Sequence, residues 1–263
     1  MASSVAAAES AVCAGDTAEG SGTAASSLHP APGVSMLHEA LRETRPFVLC
    51  PRAFFVSWSG VLTLAFSGWP PEVVSLKQRL EAQLGKALRP ENPGSRWPKI
   101  TIGALRDGRQ PLTLEELRQL SSLCSELSRG LLEERWEIPV TAVAQTLFAW
   151  PSHEWLISRV DFPLEGTANL ASPDEEAASY VEKVLAEGED LEAYLPAVQR
   201  PGPASKYRST SVGASLVAFA RPASTPALLA SLNSLRSRVD EVLPGAYEWM
   251  ADDALHCTLR ALV

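Results

Sequence analysis

Leu255-His256-Cys257-Thr258-Leu259-Arg260-Ala261-Leu262, near the end of the sequence, has a counterpart far upstream, Pro98-Lys99-Ile100-Thr101-Ile102-Gly103-Ala104-Leu105. Aligned, H-C-T-L-R-A-L and K-I-T-I-G-A-L share the threonine and the Ala-Leu ending. Side chains in an extended strand alternate between faces, so residues i and i+2 share one. His256 and Thr258 are therefore predicted on one face of a sheet, and Lys99 and Thr101 likewise. Cys257, Leu259, Ile100 and Ile102 then point the other way, into a core. Two strands that each offer a basic side chain and a hydroxyl can line a groove suited to a phosphate.

Working outward, each stretch ends a strand–helix–strand pattern. Phe55–Phe66 is rich in β-branched and aromatic residues and reads as a strand. Val73, Leu76, Leu80 and Leu84 follow at helical spacing, with Gly85 as terminator. The turn-rich loop 89–96 leads to the strand 97–105. In the second unit, Gly213–Phe219 mirrors Gly60–Phe66. Thr225 and Pro226 suit an N-cap and first helical position. Leu228, Leu232, Leu235, Val239 and Val242 form an apolar stripe that Pro244-Gly245 stops. The two units, about 54–105 and 211–263, read as an internal duplication.

The connector, 106–210, starts with a capping box, Thr113 and Glu116, ahead of a helix through Leu131. Strands are predicted at 138–143, 146–150 and 155–162, with Pro151-Ser152-His153-Glu154 as a hairpin turn. A helix starts around Ser172–Glu175, and 187–206 reads as a long polar loop. Residues 1–45 are dominated by Ala, Ser, Gly and Thr and are expected to form a disordered tail, with a short helix near 36–42 opening the ordered part. Residues 46–263 form one domain, and the fold class is α+β with a central groove and helices outside.

Composition bounds the chemistry. The chain has 263 residues, 46% hydrophobic and 21% charged, which fits a soluble globular protein. A formal net charge of −8 argues against tight non-specific binding to a nucleic-acid backbone, which depends on Lys and Arg neutralising phosphates. It leaves room for one small nucleotide or phosphate ester in a local basic pocket. No run of about 18 apolar residues suggests a membrane span. Cys13, Cys50, Cys124 and Cys257 stand apart, without metal-ligand spacing, and read as reduced thiols of an intracellular protein with no metal or cofactor. A cytoplasmic location is the default. The Ala- and Ser-rich tail leaves organellar targeting open, although its acids and its lack of Arg before Arg42 count against it.

On these residues the chain resembles the 2H phosphoesterase superfamily, which includes RNA 2',3'-cyclic phosphodiesterases and 2'-5' RNA ligase-like proteins. The shared pattern is a duplicated strand–helix–strand unit whose second strand carries H-x-[ST]-x. The resemblance implies one histidine as general base, another as general acid, and threonine hydroxyls on the phosphate oxygens. It carries onto His256, Thr258 and Thr101. Lys99 stands where the first histidine would be, a charge-neutralising or proton-donating substitute. The first motif is thus degenerate, and the chain reads as a decayed, truncated or permuted relative. The expected activity is binding or hydrolysis of a small phosphodiester, such as a cyclic or 2'-5'-linked nucleotide. The alternative is a non-catalytic binding or assembly protein on the same fold.

Arg96 and Arg260 flank the two motifs and are candidates to contact the substrate. His153 reads as a surface-turn histidine beside Trp150 and Trp155, with completion of the site as the other option. His29 and His38 lack visible partners. Asp252 and Asp253 read as a loop start.

Overall fold

The alternating apolar segments pair into one large antiparallel sheet in the computed structural model, which describes residues 32–88, 90–91, 95–134, 137–202, 204–221 and 225–262. From one edge the strands run β2 (Pro51–Ser57), β3 (Val61–Phe66), β4 (Lys99–Leu105), β10 (His256–Ala261), β8 (Gly213–Phe219), β6 (Ala142–Phe148) and β7 (Leu156–Pro163). The short β9 (Tyr247–Trp249) pairs with the far end of β4. A separate two-stranded ribbon joins β1 (Phe47–Leu49) to β5 (Ile138–Val140). Among the described residues the helices are α1 (Pro32–Arg42), α2 (Pro71–Leu84), α3 (Leu114–Glu134), α4 (Glu175–Ala186), α5 (Leu191–Val198), α6 (Ser205–Arg208) and α7 (Pro226–Val242). The class is α+β.

One sheet face is covered by α2 and α7. Val73, Leu76 and Leu80 of α2, and Leu228, Leu232, Leu235 and Val239 of α7, join Leu62, Leu64, Ile100, Ile102, Cys257 and Leu259 in the main core. Each large apolar side chain so enclosed contributes about 1.5–3 kcal/mol, which fixes the strand register, since a one-residue slip would turn that set outward. The opposite face is only partly covered. There α4 packs over the β2–β3 side, with Val181 against Ala65 and Trp97. The β4–β10–β8–β6 side stays open, and the cleft described below lies on it.

Several expectations need correcting. The stretch 55–66 is a hairpin and not one strand. Ser59 and Gly60 both adopt positive φ and reverse the chain between β2 and β3, which pair antiparallel. A side chain at Gly60 would be strained by its φ of 69° and would force the Leu105 methyl, 2.6 Å from the added Cβ, to shift. The stretch 187–206 holds α5, whose Tyr194 and Val198 are buried, and the start of α6. The ordered domain begins before residue 46, since Leu37, Ala40 and Leu41 of α1 belong to the core. The remaining tail, 1–31 with Cys13 and His29, lies outside the described residues. The capping box forms: the Thr113 and Glu116 backbone N–H groups donate to the Glu116 carboxylate and the Thr113 hydroxyl. Thr225 occupies the N-cap of α7 without a side-chain cap bond.

Candidate functional site

β4 and β10 are sheet neighbours, antiparallel, with Cys257 opposite Ile100. Alternation puts Cys257 and Ile100 in the core, 1% and 2% exposed, and turns Lys99, Thr101, His256 and Thr258 to the other face. All four line one cleft of about 350 Å³. The rest of its wall includes Ser95 and Trp97 ahead of β4, β8 (Ala214, Ser215), the end of β6 (Phe148), the β6–β7 turn (Pro151, His153) and Tyr207 on α6.

Arg260 is not part of this wall. The pairing of β10 with β8 slips between Thr258 and Arg260, and such a bulge breaks the alternation of faces. The guanidinium is buried against α2, 3.3 Å from Glu81. Arg96 is exposed, and its backbone carbonyl accepts the Trp69 indole N–H at 2.9 Å. Its neighbours Ser95 and Trp97 line the cleft, whereas Arg96 does not.

His153 is the residue that sequence reasoning undervalued. It occupies the hairpin turn with φ 62°, yet it is 5% exposed, because the turn folds back over the sheet. Its ring centroid is 3.8 Å from that of His256. Nδ1 lies 3.1 Å from the Pro151 carbonyl, so it must carry the proton and donate. Nε2 is left as an acceptor, 3.0 Å from the Thr146 hydroxyl and 3.1 Å from the Ser215 hydroxyl. Thr146 can donate to the Ser215 carbonyl at 3.2 Å, which leaves Ser215 to donate to His153. His256 is fixed in the same tautomer, donating from Nδ1 to the Ala254 carbonyl at 2.7 Å. The only sequence hint of the pair was a histidine in a short turn between two strands rich in aromatic and β-branched residues.

The turn is anchored from behind. Arg208 donates to both oxygens of Glu154, at 2.8 and 2.9 Å, and to Glu248 at 2.5 Å. Glu154 also accepts from the Ser152 hydroxyl and the Ala251 backbone. Burial works against its charge, but the Arg208, Ser152 and Ala251 hydrogen bonds prevail and hold its carboxyl below the usual range. This network ties the His153 turn to the α6 segment, where the Ser152 backbone N–H donates to the Tyr207 carbonyl at 2.9 Å, and Tyr207 lines the cleft together with Thr101.

The electrostatics divide the roles. Burial, then the neighbouring His256 charge, pushes His153 down to about 3. Burial pushes His256 down to about 4, against the Ala254 hydrogen bond. Two imidazolium ions at 3.8 Å would repel by about 4 kcal/mol at an effective dielectric of 20, so the cleft holds two neutral rings at pH 7. Lys99 is brought down to about 8, chiefly by burial. Its ammonium rests 4.1 Å from the Trp97 ring centroid. At pH 7 the cleft thus presents a bare imidazole nitrogen on His256 and a mostly protonated amine of lowered pKa.

Among the described residues no group of three His, Cys, Asp or Glu side chains could hold a metal ion. No described helix is long and apolar enough to cross a membrane. Comparison with known proteins finds no matching family model, no matching curated protein and no matching solved structure.

Proposed function

We propose that the chain is a 2H-phosphoesterase-like protein that binds and hydrolyses a small phosphodiester, such as a cyclic or 2'-5'-linked nucleotide. The observation that carries this reading is the convergence of Lys99, Thr101, His256 and Thr258 on one open cleft. The duplication is part of the proposal. It is supported by the parallel course of β3–α2–β4 and β8–α7–β10: in each an antiparallel strand pair is bridged by a helix on the same sheet face.

Water attacks phosphorus as Nε2 of His256 takes its proton. The P–O bond to the sugar oxygen breaks, and that oxygen takes a proton from Lys99. Thr101 and Thr258 donate to the non-bridging oxygens, where charge develops. The products are a phosphate monoester and a free sugar hydroxyl, and solvent returns the proton from His256 to Lys99. Lys99 suits the acid role because its pKa of about 8 keeps it charged at pH 7 while making the proton easier to release. His153 is a positioning residue, packed on the His256 ring and held by Ser215.

The purified protein should hydrolyse a 2',3'-cyclic nucleotide, and His256→Ala should abolish turnover. Equal turnover by variant and wild type would refute the reading. The substitution of lysine for one histidine favours a second reading, in which the cleft binds the ester and releases it unchanged. Tight binding without turnover by the wild type would select it.

A further inference from the structure

Beside the phosphate cleft lies a second, smaller cavity of about 160 Å³ that shares Trp97 and Lys99 with it. Phe55, Trp58, Tyr180 and Tyr194 complete an aromatic lining, and Glu187 is the acid in its wall. We propose that this slot holds the base of a nucleotide whose phosphate lies in the cleft, and that Glu187 favours guanine; the inference rests on the phosphate reading above and adds the identity of the group attached to the phosphate.

Pockets for whole ligands usually span about 300–1,000 Å³, so this one fits a single ring system. The lining suits a flat one, because aromatic side chains stack on the faces of nucleobases. Trp58 is 46% exposed but not loose. Its indole N–H donates to Glu187 at 3.0 Å, and the Arg200 guanidinium covers the ring at 4.7 Å. The wall is therefore built before a ligand arrives, which lowers the ordering cost of binding. A carboxylate has four lone-pair positions, and the Trp58 indole uses one. Guanine presents two adjacent N–H donors to such an acceptor. Uracil places its one N–H between two carbonyls that a carboxylate repels. Lys99 stands at the junction, so one cation serves the phosphate while its Trp97 partner walls the base.

Calorimetric titration of the full chain with guanosine 3'-monophosphate, uridine 3'-monophosphate, ribose 3-phosphate and inorganic phosphate tests this. Guanosine monophosphate should bind about five- to a hundredfold more tightly than ribose phosphate, the range expected for one base stacked on aromatic rings. Trp58→Ala should bring it to the level of ribose phosphate. Inorganic phosphate reports on the cleft, which Trp58 does not line, and should bind the variant as it binds the wild type. Glu187→Gln should remove the preference for guanosine over uridine. Equal binding of guanosine monophosphate and ribose phosphate by the wild type would overturn the base slot and leave the phosphate cleft standing. An equal loss for all ligands in Trp58→Ala would overturn it too. If none binds, inorganic phosphate included, both readings fail. Tight guanosine binding with no turnover of its 2',3'-cyclic phosphate would sustain the slot and reject the hydrolase.

Discussion

Acid should destabilise this fold through His153, and the size of the effect follows from where the ring is held. In the unfolded chain its pKa is about 6.5, and in the fold it is down to about 3. A histidine with a depressed folded pKa binds fewer protons folded than unfolded between those values. Stability is therefore intact above about pH 6.5 and falls as pH drops toward 3. At pH 4 the loss from this ring is about 3 kcal/mol, rising to about 5 kcal/mol below pH 3. Against a typical total of about 5–15 kcal/mol this is a large share. Other groups also titrate, so the informative quantity is a difference between proteins. Gln in place of His153 keeps an acceptor for the Ser215 hydroxyl, but it cannot take up a proton. Urea unfolding of wild type and His153→Gln at pH 7, 6, 5 and 4 should show the wild type losing about 3 kcal/mol relative to the variant across that range. Curves that fall in parallel would refute the buried neutral imidazole, as would an NMR titration placing His153 near 6.5.

Three further outcomes follow from the same geometry. For the cyclic-nucleotide hydrolysis, kcat/KM should rise with an apparent pKa near 4 as His256 loses its proton and fall near 8 as Lys99 does; Lys99→Arg should lower kcat/KM at every pH, since an arginine keeps the charge but does not release a proton, and its residual turnover should lack the alkaline limb up to pH 10. Glu154→Gln should loosen the anchor behind the His153 turn and cost about 1–3 kcal/mol by urea unfolding, reduced from the figure for a fully buried pair because both side chains keep some solvent contact. Gly103→Ala should cost about 1–3 kcal/mol in the same assay, because a Cβ at Gly103 would stand 2.6 Å from the Trp249 ring, itself stacked on Tyr247.

The helices α2, α3 and α7 and the strands β4, β8 and β10 were legible in the sequence because each carries a local signal. Apolar spacing, a capping box, Pro226 at a helix start and Gly85 at a helix end all act over a few residues. Strand alternation alone placed Lys99, Thr101, His256 and Thr258 on faces opposite to Ile100 and Cys257. What sequence could not supply was contact between segments. That β4 and β10 lie side by side depends on where the whole sheet closes. That Arg260 turns away depends on a bulge in its pairing with β8, invisible in its own stretch. The hairpin at Ser59-Gly60 was missed because the apolar run continues through it. The burial of His153 required the β6–β7 turn to fold back on β8, anchored by Arg208 from more than fifty positions away. Periodicity is set by backbone geometry and so can be read one residue at a time. The environment that moves an imidazole or an ammonium away from its ordinary pKa is made by atoms distant along the chain, and only the folded protein brings them together.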